Sequence, residues 1–262
     1  MKIQSLTSGS SGNCTLVGTD TGNLFVDCGA SGKYLENQLA EAGETLPTAI
    51  LVTHEHTDHV KGLGVLLRRY RLPVYMTEGT LRALLADGRL GKVDTNLLQV
   101  IRPDVPFHLS GLEILPFRIN HDAADPVAFR FHEGGVHMAV ATDMGCFDDY
   151  TVDALRNLDA LLLEANHDLR LLECSSYPYR LIERIRSHTG HLSNEDSARL
   201  LTAVAGTRLK HVLLGHLSTE NNYSALAKMT VEQVLQTQVE MDVQVDVALK
   251  GKRSRIIEVK NG

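Results

Sequence analysis

The segment Thr53-His54-Glu55-His56-Thr57-Asp58-His59 directly follows an apolar run, Ala49-Ile50-Leu51-Val52. It brings three histidines and an aspartate into the six residues from 54 to 59. Imidazole and carboxylate together suit borderline divalent metals such as Zn²⁺, Mn²⁺ and Fe²⁺. A helix-borne zinc site would carry histidines at i and i+4 with a glutamate between them. Here the histidines stand at i, i+2 and i+5, with Asp58 at i+4, which fits a strand passing through a loop into a helix. His54 and His56 would project from extended backbone, while Asp58 and His59 open the helix. Four donors this dense can hold two ions side by side. The plain alternative, a histidine-rich surface turn, is disfavoured by the tightness of the cluster.

The pattern His-x-His-x-Asp-His resembles the signature of the metallo-β-lactamase fold, a superfamily of mostly binuclear metallohydrolases. The resemblance implies three more donors at strand ends: a histidine, a bridging aspartate and a final histidine. The sequence offers His121 after Leu112–Ile119, Asp143 after Met138–Ala141 and His216 after Val212–Leu214. By that resemblance, His54, His56 and His121 would hold one metal. Asp58, His59 and His216 would hold the other, and Asp143 would bridge them. Asp58 would also help orient the attacking hydroxide. Asp27, at the end of the strand at 24–28, matches an early aspartate that braces the metal loop. Asp122 and Asp125 stand beside His121 as competing donors. No cysteine falls at a matching position, so the cofactor is expected to be two divalent ions, Zn²⁺ or Mn²⁺, with Fe²⁺ also compatible.

Periodicity predicts strands at 2–6, 15–18, 24–28, 49–52, 74–76, 97–101, 106–109, 111–119, 126–132, 136–141, 160–164 and 211–214. Helices are predicted at 32–42, 60–70, 80–86, 178–186, 194–205 and 222–239, with one more closing over Leu155–Leu158. A final strand pair is expected from 243–249 and 254–259. This is two passes of strands then helices, each about half the chain. Runs of antiparallel strands between helical segments argue for two sheets sandwiched by helices. The expected class is α/β, as the four-layer αββα sandwich that the resemblance implies, in one domain over 1–262.

The chain has 262 residues and a formal net charge of −6, which excludes a general polyanion binder and leaves only local basic patches for nucleic acid. Cys14, Cys28, Cys146 and Cys174 form no CxxC pair, consistent with a reduced compartment. The start, Met1-Lys2-Ile3-Gln4-Ser5, lacks an apolar targeting stretch, and no window approaches a membrane span. A soluble cytoplasmic protein with no membrane partner is expected. Oligomeric state is not legible.

Function is set by the site rather than the fold. The diiron oxygen reductases of the superfamily usually replace the second histidine with glutamate, and His56 therefore points to hydrolysis. Leu163-Glu164-Ala165-Asn166-His167 ends an apolar run in a glutamate, and Gly190-His191-Leu192-Ser193-Asn194 opens a helix that Ser193 or Asn194 could cap. The two segments resemble the Glu and His motifs of the transfer-RNA 3′-processing endonucleases. There the glutamate orients a histidine that protonates the leaving oxygen, so Glu164, His191 and Asp58 are the catalytic candidates. Together with Ser8-Gly9-Ser10-Ser11-Gly12-Asn13, they resemble the WalJ/YycJ-type proteins, a group linked to DNA exonuclease activity and, by that likeness, to 5′–3′ digestion.

The glycine-serine loop, with Ser11 and Asn13, could approach phosphate through backbone N–H groups or could be a tight turn. Tyr177-Pro178-Tyr179-Arg180, with Arg184 and Arg186, offers stacking and phosphate contact, with Tyr179 and Arg180 as the candidates; a solvated basic helix face is the alternative. Some features depart from the transfer-RNA enzymes. There is no flexible Gly/Pro-rich arm, Glu-Ala-Asn replaces Glu-Ala-Thr, and the stretch from Glu164 to His191 is too short for an inserted domain. The expected substrate is nucleic acid, DNA before RNA, with a small or cyclic phosphodiester as the second reading. A non-catalytic metal-stabilised binding module is the reading from another class.

Overall fold

In the computed structural model, which describes residues 1–206, 208–239 and 242–260, two seven-stranded sheets face each other. The first contains β1 (Lys2–Thr7), β2 (Cys14–Thr19), β3 (Gly22–Val26), β4 (Ala49–Leu51), β5 (Val74–Thr77) and β6 (Leu98–Ile101). The second contains β7 (Phe107–Leu109), β8 (Leu112–Arg118), β9 (Val127–Glu133), β10 (Val136–Ala141), β11 (Ala160–Glu164), β12 (His211–Gly215) and β13 (Gln244–Val247). The last strand, β14 (Ile257–Glu258), returns to the first sheet beside β1. Their orders are β14-β1-β2-β3-β4-β5-β6 and β13-β12-β11-β10-β9-β8-β7.

Each sheet is antiparallel on one side and parallel on the other. Pairing turns parallel from β3 to β6 and from β10 to β13. The antiparallel reading from sequence therefore holds for only half of each sheet. The inner parallel strands β4, β11 and β12 are buried on both faces, so they carry continuous apolar runs such as Ala160-Leu161-Leu162-Leu163 rather than alternation.

Side-chain alternation then sorts the core into layers. Ile3, Val17, Phe129, Met138, Leu162 and Leu213 fill the space between the sheets. The outer face of the first sheet packs on α1 (Gly32–Ala42), α3 (Leu63–Tyr70) and α4 (Glu78–Asp87); the short α2 (Thr57–Val60) comes between α1 and α3 in the chain. The outer face of the second packs on α5 (Asp149–Leu155), α8 (Asn194–Val204) and α9 (Ser224–Val234). The result is an αββα sandwich.

Four local expectations change. The final strands do not pair with each other: β13 extends the second sheet and β14 the first. Each has one apolar anchor, Val245 against the helices and Ile257 between the sheets, and an apolar run alone cannot say which sheet edge it will complete. The helix expected from Val60 to Tyr70 breaks at Lys61-Gly62. Gly62 N–H donates to the Cys28 carbonyl at 2.8 Å, and a Cβ there would meet the Ala30 oxygen at 2.1 Å. The helix expected over Leu155–Leu158 instead ends at Leu155, because Asn157 takes a left-handed conformation, φ 57°. A short helix, α6 (Leu169–Glu173), was not expected; Asp168 caps it. Between α6 and α8 lies α7 (Tyr179–Arg186). The predicted helix at 222–239 is α9 followed by a π-turn at Leu235–Val239.

Candidate metal centre

The C-terminal ends of β3, β4, β8, β10, β11 and β12 converge on one rim of the sandwich, where sheets of this kind expose a crevice. The β4–α2 corner brings His54, His56, Asp58 and His59 there. Its backbone is clamped to the chain after β3 and to the β1–β2 loop: Cys28 N–H donates to the His59 carbonyl and Asn13 N–H to the Asp58 carbonyl, each at 2.7 Å. Only glycine fits at Gly29, since a Cβ would lie 1.6 Å from the Asp58 oxygen. Asp27 completes the clamp. Its carboxylate accepts from Thr53 N–H and Thr53 Oγ1, both at 2.8 Å, and its Oδ2 lies 2.7 Å from His59 Nδ1.

The donors gather into two overlapping groups. In the first, His56 Nδ1 and His121 Nε2 are 3.2 Å apart, and His54 stands beside them. In the second, Asp58 Oδ2 is 3.5 Å from His59 Nε2 and 3.4 Å from His216 Nε2. Asp143 stands between the groups, with Oδ2 3.3 Å from His59 Nε2 and Oδ1 4.0 Å from His121 Nε2. Two buried atoms in the cluster, His54 Nε2 and Asp143 Oδ2, have no hydrogen-bond partner. Leaving such atoms unsatisfied costs about 1–3 kcal/mol each. An orphaned imidazole nitrogen and an orphaned carboxylate oxygen facing one space are what a divalent cation would satisfy, so the donor set fits divalent metal ions.

The second ring nitrogens are already occupied. His54 Nδ1 meets Thr53 Oγ1 at 3.0 Å, His121 Nδ1 meets the Gly190 carbonyl at 3.2 Å, and His216 Nδ1 meets Glu164 Oε1 at 2.9 Å. Such partners fix ring orientation and tautomer. Glu164 is fully buried at the end of β11. Its Oε1 also lies 2.8 Å from His191 Nδ1, and its Oε2 accepts from Met144 N–H and Leu192 N–H. Gly145 and Gly190 let the Asp143 and His191 loops touch, since a Cβ on Gly145 would lie 2.4 Å from Gly190 N.

Electrostatics divides the imidazoles. Burial and the charge of His59 hold His54 well below the usual histidine range. Burial also tends to lower His216, but Asp143, Asp58 and Glu164 outweigh it and push it up to about 10. His59 is raised in the same way against its burial, by Asp143, Asp27 and Asp58. Burial alone would raise the Glu164 carboxyl, yet the imidazoles of His191 and His216 bring it down to about 2.

Three residues at this rim, Asp27, Asp143 and His216, have left-handed backbone, with φ of 64°, 62° and 54°. They are among seven non-glycine residues so disposed among the described residues. Such conformations are unusual for residues with a Cβ and collect where a site dictates geometry.

A family model described as the beta-lactamase superfamily domain matches residues 22–217. The chain belongs to the β-lactamase superfamily, with the metallo-β-lactamase fold. Exodeoxyribonuclease YycJ of Bacillus anthracis is 40% identical to this superfamily member over 233 residues, 88% of each chain. Exodeoxyribonuclease WalJ of Streptococcus pneumoniae is 41% identical over 248 residues, 94% of this chain and 91% of the relative. The crystal structure of human tRNase Z, short form, matches over 100% of both chains with a TM-score of 0.65 at 17% identity. That of a diphosphatase from the PhnP family covers 98% of both, at 0.67 and 20%. At these identities the two structures speak for the fold alone.

Beside the donors lies a cavity of about 260 Å³, into which His56, Asp58, Asp143, His191 and His216 face. The seven expected metal donors and the Glu164–His191 pair thus meet in one place. None of the four expected substrate contacts lines the cavity. Asn13 is buried, its Nδ2 lies 3.2 Å from Asp58 Oδ2 and 3.1 Å from His59 Nε2, and its Oδ1 accepts from Gly9 N–H. The glycine-serine loop is therefore a tight turn that braces the corner, and Ser8 Oγ accepts from His216 N–H at 2.7 Å. Ser11 is exposed away from the cavity; its neighbour Ser10 lines it. Tyr179 is 74% exposed, and neither it nor Arg180 lines the cavity. The helical period turns positions 181, 184 and 185 of α7 inward instead. Sequence reasoning missed Leu181 and Ile185, whose spacing along α7 was the available signal, and Asn166, whose Nδ2 donates to the His216 carbonyl. Of the competing acids, Asp122 lies 3.5 Å from His121 Nε2, while Asp125 turns toward Gly79.

Proposed function

We propose that this protein is a binuclear metal-dependent phosphodiesterase that hydrolyses nucleic-acid phosphodiester bonds, acting as a DNA exonuclease. One observation carries the reading. His191, with Nδ1 engaged by a buried carboxylate, lines the same cavity as members of both donor groups. A phosphodiester expels an alkoxide, and a positioned acid accelerates that departure by about 10²–10⁴-fold. A thioester or β-lactam leaving group needs this less. The names of the YycJ and WalJ relatives agree with DNA as the substrate.

His54, His56 and His121 would hold one ion, Asp58, His59 and His216 the other, and Asp143 both; Zn²⁺ and Mn²⁺ suit this set of N and O donors. When bound, the ions lower the pKa of water toward neutrality and offset charge on the phosphoryl group. Asp58, at the cavity wall, orients the attacking water. The water gives up one proton to solvent, and as the new P–O bond forms in line the bond to the leaving oxygen breaks. His191 hands its Nε2 proton to that oxygen. Glu164 accepts the ring's Nδ1–H, which favours the doubly protonated imidazole that this transfer requires and fixes its orientation; the ring is left neutral.

The test is incubation of purified protein, with Mn²⁺ or Zn²⁺, with end-labelled single- and double-stranded DNA and matched RNA. Stepwise shortening of DNA, lost in Asp58→Ala and His191→Ala, is expected. Cleavage of small diesters with no cleavage of any polymer would shift the reading to a small phosphodiester, which the net charge of −6 already favours over a long polyanion.

A further inference from the structure

The apolar face of α7 is not used by the core. None of its eight residues is fully buried, yet Leu181 and Ile185 repeat at one-turn spacing, both half-buried. With Tyr177, just ahead of the helix, they form an apolar wall of the cavity that His56 and Asp58 also line. Arg184 shares that wall. Its Nε donates to Asp122 Oδ2 at 2.6 Å, and no other guanidinium bond is present among the described residues. The wall is tied to the proton donor: His191 N–H donates to the Ile185 carbonyl at 2.9 Å, and Gly190 N–H to the Ser187 carbonyl at 2.9 Å. It therefore stands on the side from which the leaving oxygen would be protonated.

A nucleotide joins a flat apolar ring to an anionic group, and this wall joins a flat aromatic ring and two aliphatic side chains to a cation with free N–H groups. We propose that the Tyr177–Leu181–Ile185 wall is the subsite for the nucleobase that departs with the leaving oxygen, and that Arg184 takes a phosphate next to the scissile one. This rests on the phosphodiesterase reading above. Stacking on an aromatic ring tolerates any base, so the subsite suits progressive digestion without sequence preference. Arg184 is pre-oriented by Asp122 and keeps both Nη groups for the phosphate.

The experiment uses metal-loaded full-length protein and DNA carrying one abasic residue on either side of the scissile bond. Which product bears the phosphate identifies the departing side. In the wild type, an abasic residue on the departing side lowers kcat/KM by about 5- to 150-fold, the range for one base–aromatic stack. Tyr177→Ala shows that loss on intact DNA, mainly through KM, and no further loss on the abasic strand. Tyr177→Phe restores the discrimination. Arg184→Gln reduces the slope of log(kcat/KM) against log salt by about 0.7–0.9, the share of one phosphate contact. Equal sensitivity of wild type and Tyr177→Ala to the departing-side abasic residue overturns the subsite while leaving the nuclease reading intact. Absence of any DNA digestion by the wild type overturns both.

Discussion

Glu164 Oε1 and His191 Nδ1 are 2.8 Å apart, joining side chains 27 positions distant in sequence. The same oxygen lies 2.9 Å from Nδ1 of His216, so one carboxylate orients both the proposed proton donor and a proposed metal donor. The two duties separate on substitution. His191→Ala should lower kcat by about 10²–10⁴-fold and leave metal content unchanged. Glu164→Gln should lower kcat by a similar factor and also weaken metal retention. Elemental analysis beside steady-state kinetics reads both, and full activity in His191→Ala would remove the proton-donor role.

Asp27 touches no substrate space, yet it fixes Thr53 and His59 together. Asp27→Ala should weaken metal affinity by about 10- to 100-fold, the usual effect of losing a partner behind a ligand. Competition with a chromophoric chelator measures it. An unchanged affinity would mean that the Gly29 and Asn13 clamp alone holds the corner.

Metal should also stabilise the fold, because the orphaned His54 Nε2 and Asp143 Oδ2 gain a partner. At a free concentration of 100 times Kd, one site adds about 2.7 kcal/mol. For a chain of this size that is on the order of 5–10 °C in Tm. Calorimetry with and without chelator should show the shift in the wild type and a smaller one in Asp143→Ala. Equal melting with and without chelator would contradict the assignment.

The pH dependence of the metal-free protein has a definite sign. His216 rises to about 10 in the folded state, above the ordinary value of roughly 6.5 in an unfolded chain. Between those values the folded state binds the extra proton, so stability is fully present below pH ~6.5 and is lost as pH rises toward about 10. His59, also raised, acts in the same direction. Metal displaces these protons, so the loaded protein should lack the alkaline decline and metal uptake should release protons. Tm measured from pH 6.5 to 9.5 on chelated and loaded protein tests this; a flat profile for the chelated form would refute it.

Much of the site was legible because its donors follow strand ends, and an apolar run followed by His or Asp is readable locally. The roles of Glu164 and Asp27 were readable only through resemblance, since their partners lie 27 and 26 to 32 positions away. The sequence left the Ser-Gly loop open because it looks the same whether it approaches phosphate or turns tightly; the bracing contact of Asn13 with Asp58, 45 positions on, is not encoded locally. Tyr179 and Arg180 do not line the cavity, for a geometric reason: helical phase along α7 becomes clear only once the cavity side is known. The partnering of β13 and β14 depended on which sheet edge was open, which a short apolar run does not encode.

The left-handed backbone at Asp27, Asp143 and His216 carries a consequence for adaptation. Glycine at any of them would relieve about 1–2 kcal/mol of conformational energy while deleting a brace or a donor. A library screened only for heat resistance without metal should drift toward glycine or asparagine at positions 27, 143 and 216. The same library screened for turnover should hold the wild-type residues. At those three codons, durability and catalysis make opposing demands on the chain.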